Sequence, residues 1–400
     1  MNQQSALRRG FASVAVVLGV LLFLTGCGGG SESTGGSTGQ SGGSESGSSD
    51  SGSKGVDEAR RLVAESEEVP SSVSPPTEPV DASAARGDSF QYIPVLGAIP
   101  VAQITGEGMN EAFDLVGAKV NEIDGQGKVS VWTEGIEQAI SQKMSGIVTA
   151  GISPKAVAAP LQAADKAGIP VIASFATAPG LPTASQKALG VDALVTYSWE
   201  DMSRLMADYA IAESEGKAHV VILESSDVET SAIAVEAAEE EFAKLCPECT
   251  VDVEDAPQTQ PAERLESLVH TLVTQDQSIE YLMPVFDASA LTIVPAIHSA
   301  GAAERVKVVT MGGTPAVLQL LQRNDVVVAD VGANIAWSGW GVADQFFRLV
   351  NGDPVVKSEN VPTRTFTANN VGELDLEGDQ STWFGSDAWK GQYEKTWGLG

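Results

Sequence analysis

Cysteine and histidine are the side chains best suited to covalent, metal or proton-transfer chemistry, and this 400-residue chain has three of each. Cys246 and Cys249 stand in the run Cys246-Pro247-Glu248-Cys249, a spacing that suits a disulfide, a thioredoxin-like redox centre or half of a zinc site. Zinc would need further ligands, and neither a second CxxC nor a nearby histidine supplies them. His219, His270 and His298 fall at a strand start and on two helices, away from any HExxH, nucleophile-elbow or Walker pattern. They read as surface or packing histidines. Gly125-Gln126-Gly127 lacks the third glycine of a dinucleotide fingerprint and reads as a turn. Glu224-Ser225-Ser226-Asp227 could present polar groups to a ligand or could cap the helix that follows. No metal, cofactor or enzymatic reaction is indicated.

Cys27 calls for different chemistry. Arg8 and Arg9 precede an apolar run from Val14 to Leu24 that is too short to span a hydrocarbon core of roughly 30 Å comfortably, so the segment reads as an export signal. The residues that end it, Leu24-Thr25-Gly26-Cys27, resemble the lipobox of bacterial lipoproteins, in which the cysteine is acylated and the chain is cut just before it. The resemblance implies a signal peptide over 1–26 and lipidation at Cys27, which places the protein at the cell membrane on its extracytoplasmic face. The alternatives are an ordinary signal peptide or an uncleaved anchor. Residues 28–55 are nearly all glycine and serine with a few acids and cannot bury enough apolar surface to fold, so 27–55 reads as a lipid-attached flexible tether. Outside the cytoplasm a disulfide is the expected state of Cys246 and Cys249.

The formal net charge is −29, and the signal segment carries two arginines and no acid, so the mature chain has −31. Without a basic stripe, nucleic acid is excluded as an expected partner. Hydrophobic residues make up 43%, enough for substantial cores. An N-terminal extension over 56–89 holds one short helix, expected at 56–68, and a proline-rich stretch. From residue 90 strands alternate with helices. Strands are predicted at 90–96, 119–123, 146–150, 171–175 and 194–197, with helices at 103–116, 131–143 and 154–167. The pattern then restarts, with strands at 219–224, 250–254, 281–285 and 306–310 and helices at 231–245, 261–274 and 288–300. Such βαβ alternation implies mainly parallel sheets covered by helices on both faces.

Lys143-Met144-Ser145-Gly146-Ile147-Val148, with Ala163-Ala164-Asp165-Lys166-Ala167-Gly168-Ile169-Pro170-Val171-Ile172, resembles the first lobe of type I periplasmic binding proteins, the ribose-binding group. Gly312-Gly313-Thr314-Pro315 and Leu349-Val350-Asn351-Gly352-Asp353-Pro354-Val355 resemble later landmarks of that group. The resemblance implies an α/β fold of two doubly wound parallel-sheet lobes joined by three crossing segments near 195–198, 330–334 and 361–365. Lobe 1 would comprise 90–196 plus 335–362, and lobe 2 would comprise 197–334 plus 363–400. The implied function is that of a lipid-anchored receptor, expected to be monomeric, that captures a small-molecule solute between its lobes and delivers it to an ABC-type permease and its ATPase. The alternative is a receptor that signals to a membrane sensor protein.

Strand carboxyl ends line the crevice in such folds, so ligand residues are expected on the loops that follow them. The aligned positions depart from the sugar binders. Ile99-Pro100-Val101-Ala102 replaces an asparagine–aromatic run, Ala150 beside Gly151 replaces a polar side chain, and Phe175 with Ala176 replaces an Asp-Arg pair. Phe286, next to Asp287, stands where an asparagine contacts sugar, and Met311-Gly312 loses a carboxylate. A ligand less polar than ribose is therefore expected, since unpaired sugar hydroxyls would cost about 1–3 kcal/mol each. It would be held by Ile99, Val101, Phe175, Phe286, Met311 and Trp337 or Trp340, and oriented by Gln103, Ser174, Glu224, Asp287 or Asn334. The competing reading keeps a sugar, served by polar neighbours one or two residues away. The aromatics of the C-terminal tail, Trp383, Phe384, Trp389, Tyr393 and Trp397, are expected to pack onto a lobe.

Overall fold

The computed structural model describes residues 48–71 and 73–400; the signal segment, Cys27 and the tether up to residue 47 lie outside the described residues. Helix α1 (Ser48–Glu67) begins inside the stretch 27–55 that the sequence marks as coil, which corrects that boundary. Tertiary packing explains the difference: Val56 and Ala59 are buried against the body, and Gly55 lies so close to the Leu245 carbonyl that no side chain would fit. Such contacts outweigh the poor helix propensity of glycine and serine.

The first sheet is built from β1 (Ser89–Pro94), β2 (Lys119–Glu122), β3 (Gly146–Ala150), β4 (Val171–Ser174) and β5 (Ala193–Val195). Its order is β2-β1-β3-β4-β5 and every pairing is parallel. Helices α2 (Pro100–Asp114), α3 (Val129–Gln142), α4 (Ala158–Lys166) and the short α5 (Ala184–Ala188) connect the strands. All five residues of β3 are buried, as a central strand covered on both faces requires.

After the first crossing, α6 (Trp199–Glu213) leads into the second sheet of β6 (His219–Glu224), β7 (Thr250–Asp255), β8 (Tyr281–Pro284), β9 (Lys307–Gly312), β10 (Val327–Ala333) and β11 (Thr363–Thr367). The order is β11-β10-β9-β8-β6-β7, with only β11 antiparallel to its neighbour. Its helices are α7 (Glu229–Leu245), α8 (Ala262–Gln275), α9 (Ala290–Ser299) and α10 (Pro315–Gln322). Cys246 and Cys249 form a disulfide just past α7. The two-lobed, doubly wound architecture is therefore present.

Helix α11 (Ile335–Asn351) follows β10 and returns the chain to the first lobe, where it crosses α2 at two glycines. A Cβ on Gly108 would lie 2.5 Å from the Ala336 carbonyl oxygen, and one on Gly339 would lie 2.5 Å from that of Thr105. Backbone-to-backbone approach of this kind is open only to glycine.

The ends of the chain depart from the expected division. The segment after β11 first packs on the second lobe, where Val371, Leu376, Trp383 and Phe384 are buried with Ile293, Leu318 and Phe366. Helix α12 (Ala388–Thr396) then docks on the first lobe: Trp389 stacks on Trp337 at 4.8 Å, Trp397 on Trp340 at 5.2 Å, and Lys390 Nζ donates to Glu111 of α2 at 2.8 Å. Assigning all of 363–400 to lobe 2 is thus corrected for α12, because its aromatic face finds its partners on α11. The extension behaves likewise. α1 lies on α6, α7 and β11, with Arg364 Nε donating to the Glu67 carbonyl at 2.9 Å, whereas Arg348 Nη2 of α11 donates to the Glu78 carbonyl at 2.8 Å. Among the described residues five stretches of chain therefore pass between the lobes.

One buried acid is poorly matched to its surroundings. Asp208 on α6 is 1% exposed, its Oδ1 has no partner, and burial, aided by Glu241 on α7, pushes its pKa up to about 7. A carboxyl raised in the folded state binds more protons there than in the unfolded chain, so stability falls as pH rises from about 4 to 7. Asp208→Asn should raise the melting temperature at pH 8 by about 2 to 4 °C and leave it little changed at pH 4, as measured by thermal unfolding across that range.

Candidate functional site

Loops after the carboxyl ends of the two sheets meet between the lobes, through Ser153 and Lys155 on Glu229 and through the rings from Phe175 to Phe286, and the region they bound is the candidate crevice. On the first lobe, Ile99 is the residue before α2 and accepts backbone bonds from Ala102 and Gln103, fixed there by Pro100 at the first helical position. Val101 is half-buried against the core and Gln103 is exposed on the helix. Ala150 ends β3, and Gly151, with φ of +71°, turns the chain while its N–H donates to the Ser174 carbonyl at 2.8 Å. Ser174 ends β4, fully buried, with no partner for its hydroxyl. Phe175 follows in the left-handed region at φ +56°, a strained choice for an aromatic residue, of the sort that clusters at functional sites.

That conformation brings Phe175 into a row of rings. Its centroid is 5.4 Å from Tyr197 in the first crossing, Tyr197 is 4.7 Å from Trp199, and Trp199 meets Phe286 edge-on at 5.8 Å. The row begins on one lobe, passes through a crossing and ends on the other. Sequence reasoning singled out Phe175 and Phe286 but missed Tyr197 and Trp199. The signal was Ser198, whose side chain caps α6 and so fixes Trp199 as the first helical residue beside the crossing.

On the second lobe, Asp287 lies in the turn after β8, 5% exposed, and its Oδ2 accepts from both the backbone N–H and the hydroxyl of Thr314. A Cβ on Gly312 would fall 2.6 Å from Asp287 Oδ1 and 2.7 Å from Oδ2. The carboxylate missing at position 312 is therefore replaced in space by that of Asp287, from the turn after β8. Behind it, Asp330 Oδ1 accepts from the Gly313 N–H at 3.1 Å while Oδ2 has no partner. Burial pushes Asp287 up to about 6 against the bonds from Thr314, and pushes Asp330 well above the usual carboxylate range with the Asp287 charge adding to it.

Other expected residues are engaged elsewhere. Met311 is 2% exposed and packs in the core. Glu224 ends β6, half-buried, its carbonyl accepting from Ala256. Within the turn that follows, Ser225 bonds to Ser231 and Ala256, and Asp227 accepts from the N–H groups of Gln258 and Thr259, so these residues close a turn. Asn334 caps α11 through Oδ1, leaving Nδ2 buried without a partner. Trp337 is not brought to the crevice: its indole N–H donates to the Glu359 carbonyl at 2.7 Å and its ring stacks on Trp389. Trp340 is held in the same plate, with its N–H on Glu111. The histidines lie apart from the crevice, His219 bridging Ser278 and Asp252 and His298 bonding Asp325.

The lobes also meet at the crevice rim. Glu229 at the start of α7 accepts from Ser153 Oγ at 2.9 Å and from Lys155 Nζ at 2.8 Å, both in the loop after β3. The Lys155 ammonium holds the Glu229 carboxyl below its ordinary range. The arrangement can enclose a small molecule against an aromatic wall, with a rim contact that forms only when the lobes are together.

Comparison with known proteins agrees with this geometry. Similar solved structures include an ABC transporter solute binding protein from Agrobacterium vitis bound with alpha-D-tagatopyranose, 16% identical with a TM-score of 0.66, covering 72% of this chain and 98% of that one. A periplasmic solute binding protein from Actinobacillus succinogenes 130z with bound D-allose is 17% identical with a TM-score of 0.64, covering 72% and 100%. A Mycobacterium smegmatis protein in complex with beta-D-fucofuranose is 17% identical with a TM-score of 0.64, covering 74% and 97%. At these identities the likeness is one of fold. No curated protein matches the sequence. The Periplasmic binding protein domain matches residues 91–354, from the first strand of one lobe to the helix that returns to it. A match over that span, on two doubly wound lobes with a crevice between them, means that the chain belongs to the periplasmic binding protein family, in its type I, ribose-binding-like form, a family of extracytoplasmic solute receptors and not of enzymes.

Proposed function

We propose that the protein is a lipid-anchored receptor that captures a small, sugar-sized solute between its lobes and delivers it to an ABC-type permease with its ATPase. The observation that carries this reading is the aromatic row from Phe175 to Phe286, which joins both lobes behind one crevice and would contact a solute from both sides at once. A ligand that touches both lobes binds the closed form better and so shifts the population toward it. Relatives of the same fold are described with tagatopyranose, allose and fucofuranose bound, which supports a solute of that size. Anchoring rests on the sequence Leu24-Thr25-Gly26-Cys27, and no helix among the described residues is long and apolar enough to cross a membrane.

Three measurements test this reading. Small-angle scattering should show the protein compacting when a bound solute, identified by mass spectrometry of what purified protein retains, is added back; an unchanged profile would remove the capture mechanism. Cys27→Ser should release the protein to the medium with its solute affinity unchanged, and retention of that variant at the membrane would place the anchor elsewhere. Glu229→Ala, which deletes the rim contact, should weaken solute binding about two- to fivefold, the range for an exposed ion pair, as read by calorimetry.

A further inference from the structure

The second crossing changes from strand to helix at one residue. Ala333 ends β10, Ile335 opens α11, and Asn334 between them has φ −73° and ψ 90°. Rotation of one lobe against the other is absorbed at such element-terminal positions, where a few residues take up the change in dihedrals. Both peptide groups that flank Asn334 are held by a single side chain from the C-terminal tail. Gln380 Oε1 accepts from the Ile335 N–H at 3.0 Å, and Gln380 Nε2 donates to the Ala333 carbonyl at 3.4 Å. A neighbouring parallel strand bonds in the same way, to the carbonyl before a residue and to the N–H after it. The Ile335 N–H is also one of the four at a helix start that have no partner within the helix.

The same amide reaches the second lobe, where Nε2 also donates to the Gly313 carbonyl at 3.3 Å, in the turn after β9. That turn has little freedom of its own: the Gly313 N–H donates to Asp330 of β10, and a Cβ at this position, where φ is +74°, would fall 2.6 Å from the Gly332 Cα. Thr314 beside it holds Asp287, the chain neighbour of Phe286 in the aromatic row. Gln380 is therefore bonded at once to a lobe-2 turn beside the crevice, to the end of the crossing and to the first residue of the lobe-1 helix. Its own place is set from both sides. It opens the short 3-10 turn Gln380–Phe384, in which Trp383 and Phe384 are buried in the second lobe and the Trp383 carbonyl accepts from Arg364 Nη1 of the third crossing at 2.8 Å. On the other side Asp379 pairs at 3.4 Å with Lys390, the α12 residue that donates to Glu111 of the first lobe. Gln380 lies beyond the stretch 91–354 that matches the family domain.

We infer that Gln380 is a positioning residue for solute capture: it fixes the dihedrals of Asn334, and with them the angle between the lobes, and it carries any displacement of the crevice turn at Gly313 to the start of α11. The inference rests on the solute-capture reading and adds to it a hinge control that comes from the C-terminal tail rather than from the lobes.

Pulsed electron paramagnetic resonance tests it, through the distance between spin labels at Ser130→Cys on α3 and Ser267→Cys on α8, in the full chain carrying Cys27→Ser, where the other two cysteines are joined in their disulfide. Without added solute, Gln380→Met, close in size but lacking the amide, should broaden the interlobe distance distribution about twofold or more, or shift it to longer distance, with thermal unfolding as the check that it folds. Gln380→Glu keeps the acceptor for Ile335 and has a donor only when protonated, so against the wild type at the same pH, which takes out Asp287, Asp330 and Asp379, it should match at about pH 4 and broaden by about pH 9. A folded Gln380→Met with the wild-type distribution overturns the inference. Where that variant does not fold, a Gln380→Glu distribution that keeps the wild-type width across the same pH range overturns it. Compaction of the wild type by its retained solute, beside an unchanged Gln380→Met, would remove the hinge role and leave capture standing, whereas a wild-type distribution unmoved by that solute would remove capture whatever the variants do.

Discussion

Helix α11 has almost no solvent face, since every residue from Ile335 to Arg348 is buried. A helix placed in this way must find a partner for each polar side chain inside the protein. Asp344 is held by Arg348 and by the Trp397 indole at 2.8 Å, Gln345 by the backbone of Val356, and Trp337 by the Glu359 carbonyl. Ser338 is the exception, its hydroxyl unpaired. Those partners belong to the C-terminal helix, to the return segment before β11 and, through Arg348 and Glu78, to the N-terminal extension. The two ends of the chain are thus conditions for burying α11 rather than appendages to a finished domain. Tyr393 extends the same arrangement, its hydroxyl donating to the buried Glu359 at 2.7 Å.

The crevice combines an apolar wall with one-sided charge. Its rings come from both lobes, but its carboxylates come only from the second, beneath the turn at Gly312 and Gly313. The rim pairing of Glu229 with Lys155 follows the same distribution, a lobe-2 acid meeting a lobe-1 base. That contact is exposed and contributes little energy alone. Its importance lies in geometry, because it exists only when the two loops are brought together.

The parts of the fold set by local pattern were legible in the sequence. The run from Gly146 to Ala150 reads as a strand and is one, and the alternation of strands and helices places β1 to β9 within a few residues of their observed bounds, whereas β10 and β11 read only as crossing segments. Helix ends moved most where tertiary contacts override propensity, as at Gly55 in α1. Interactions between residues remote in sequence were not legible. Nothing in Met311-Gly312 announces that Asp287, from the turn after β8, fills the space above the glycine. Trp337 and Trp340 sit close to a crossing in sequence, yet the plate formed by Trp389, Tyr393 and Trp397 draws them away from the crevice. Tyr197 and Trp199 show the converse, the first reading as a strand end and the second falling in a helix the alternation did not name, although their rings complete the row.

The stretch from Val73 to Val80 contains Pro75, Pro76 and Pro79 and makes no regular secondary structure. Proline fixes the backbone, so such a stretch behaves as a strut of nearly constant length, at about 3.1 Å per residue when extended. One end continues from α1 on the second lobe, and the other is tied to α12 on the first, where the Val80 N–H donates to the Thr396 carbonyl at 3.0 Å. A strut between two bodies sets the radius of their relative swing. Motion of the lobes is then confined to an arc about that strut, so the crevice works like a door hung on two sides of its frame, with its travel limited by a part that lies far from any solute.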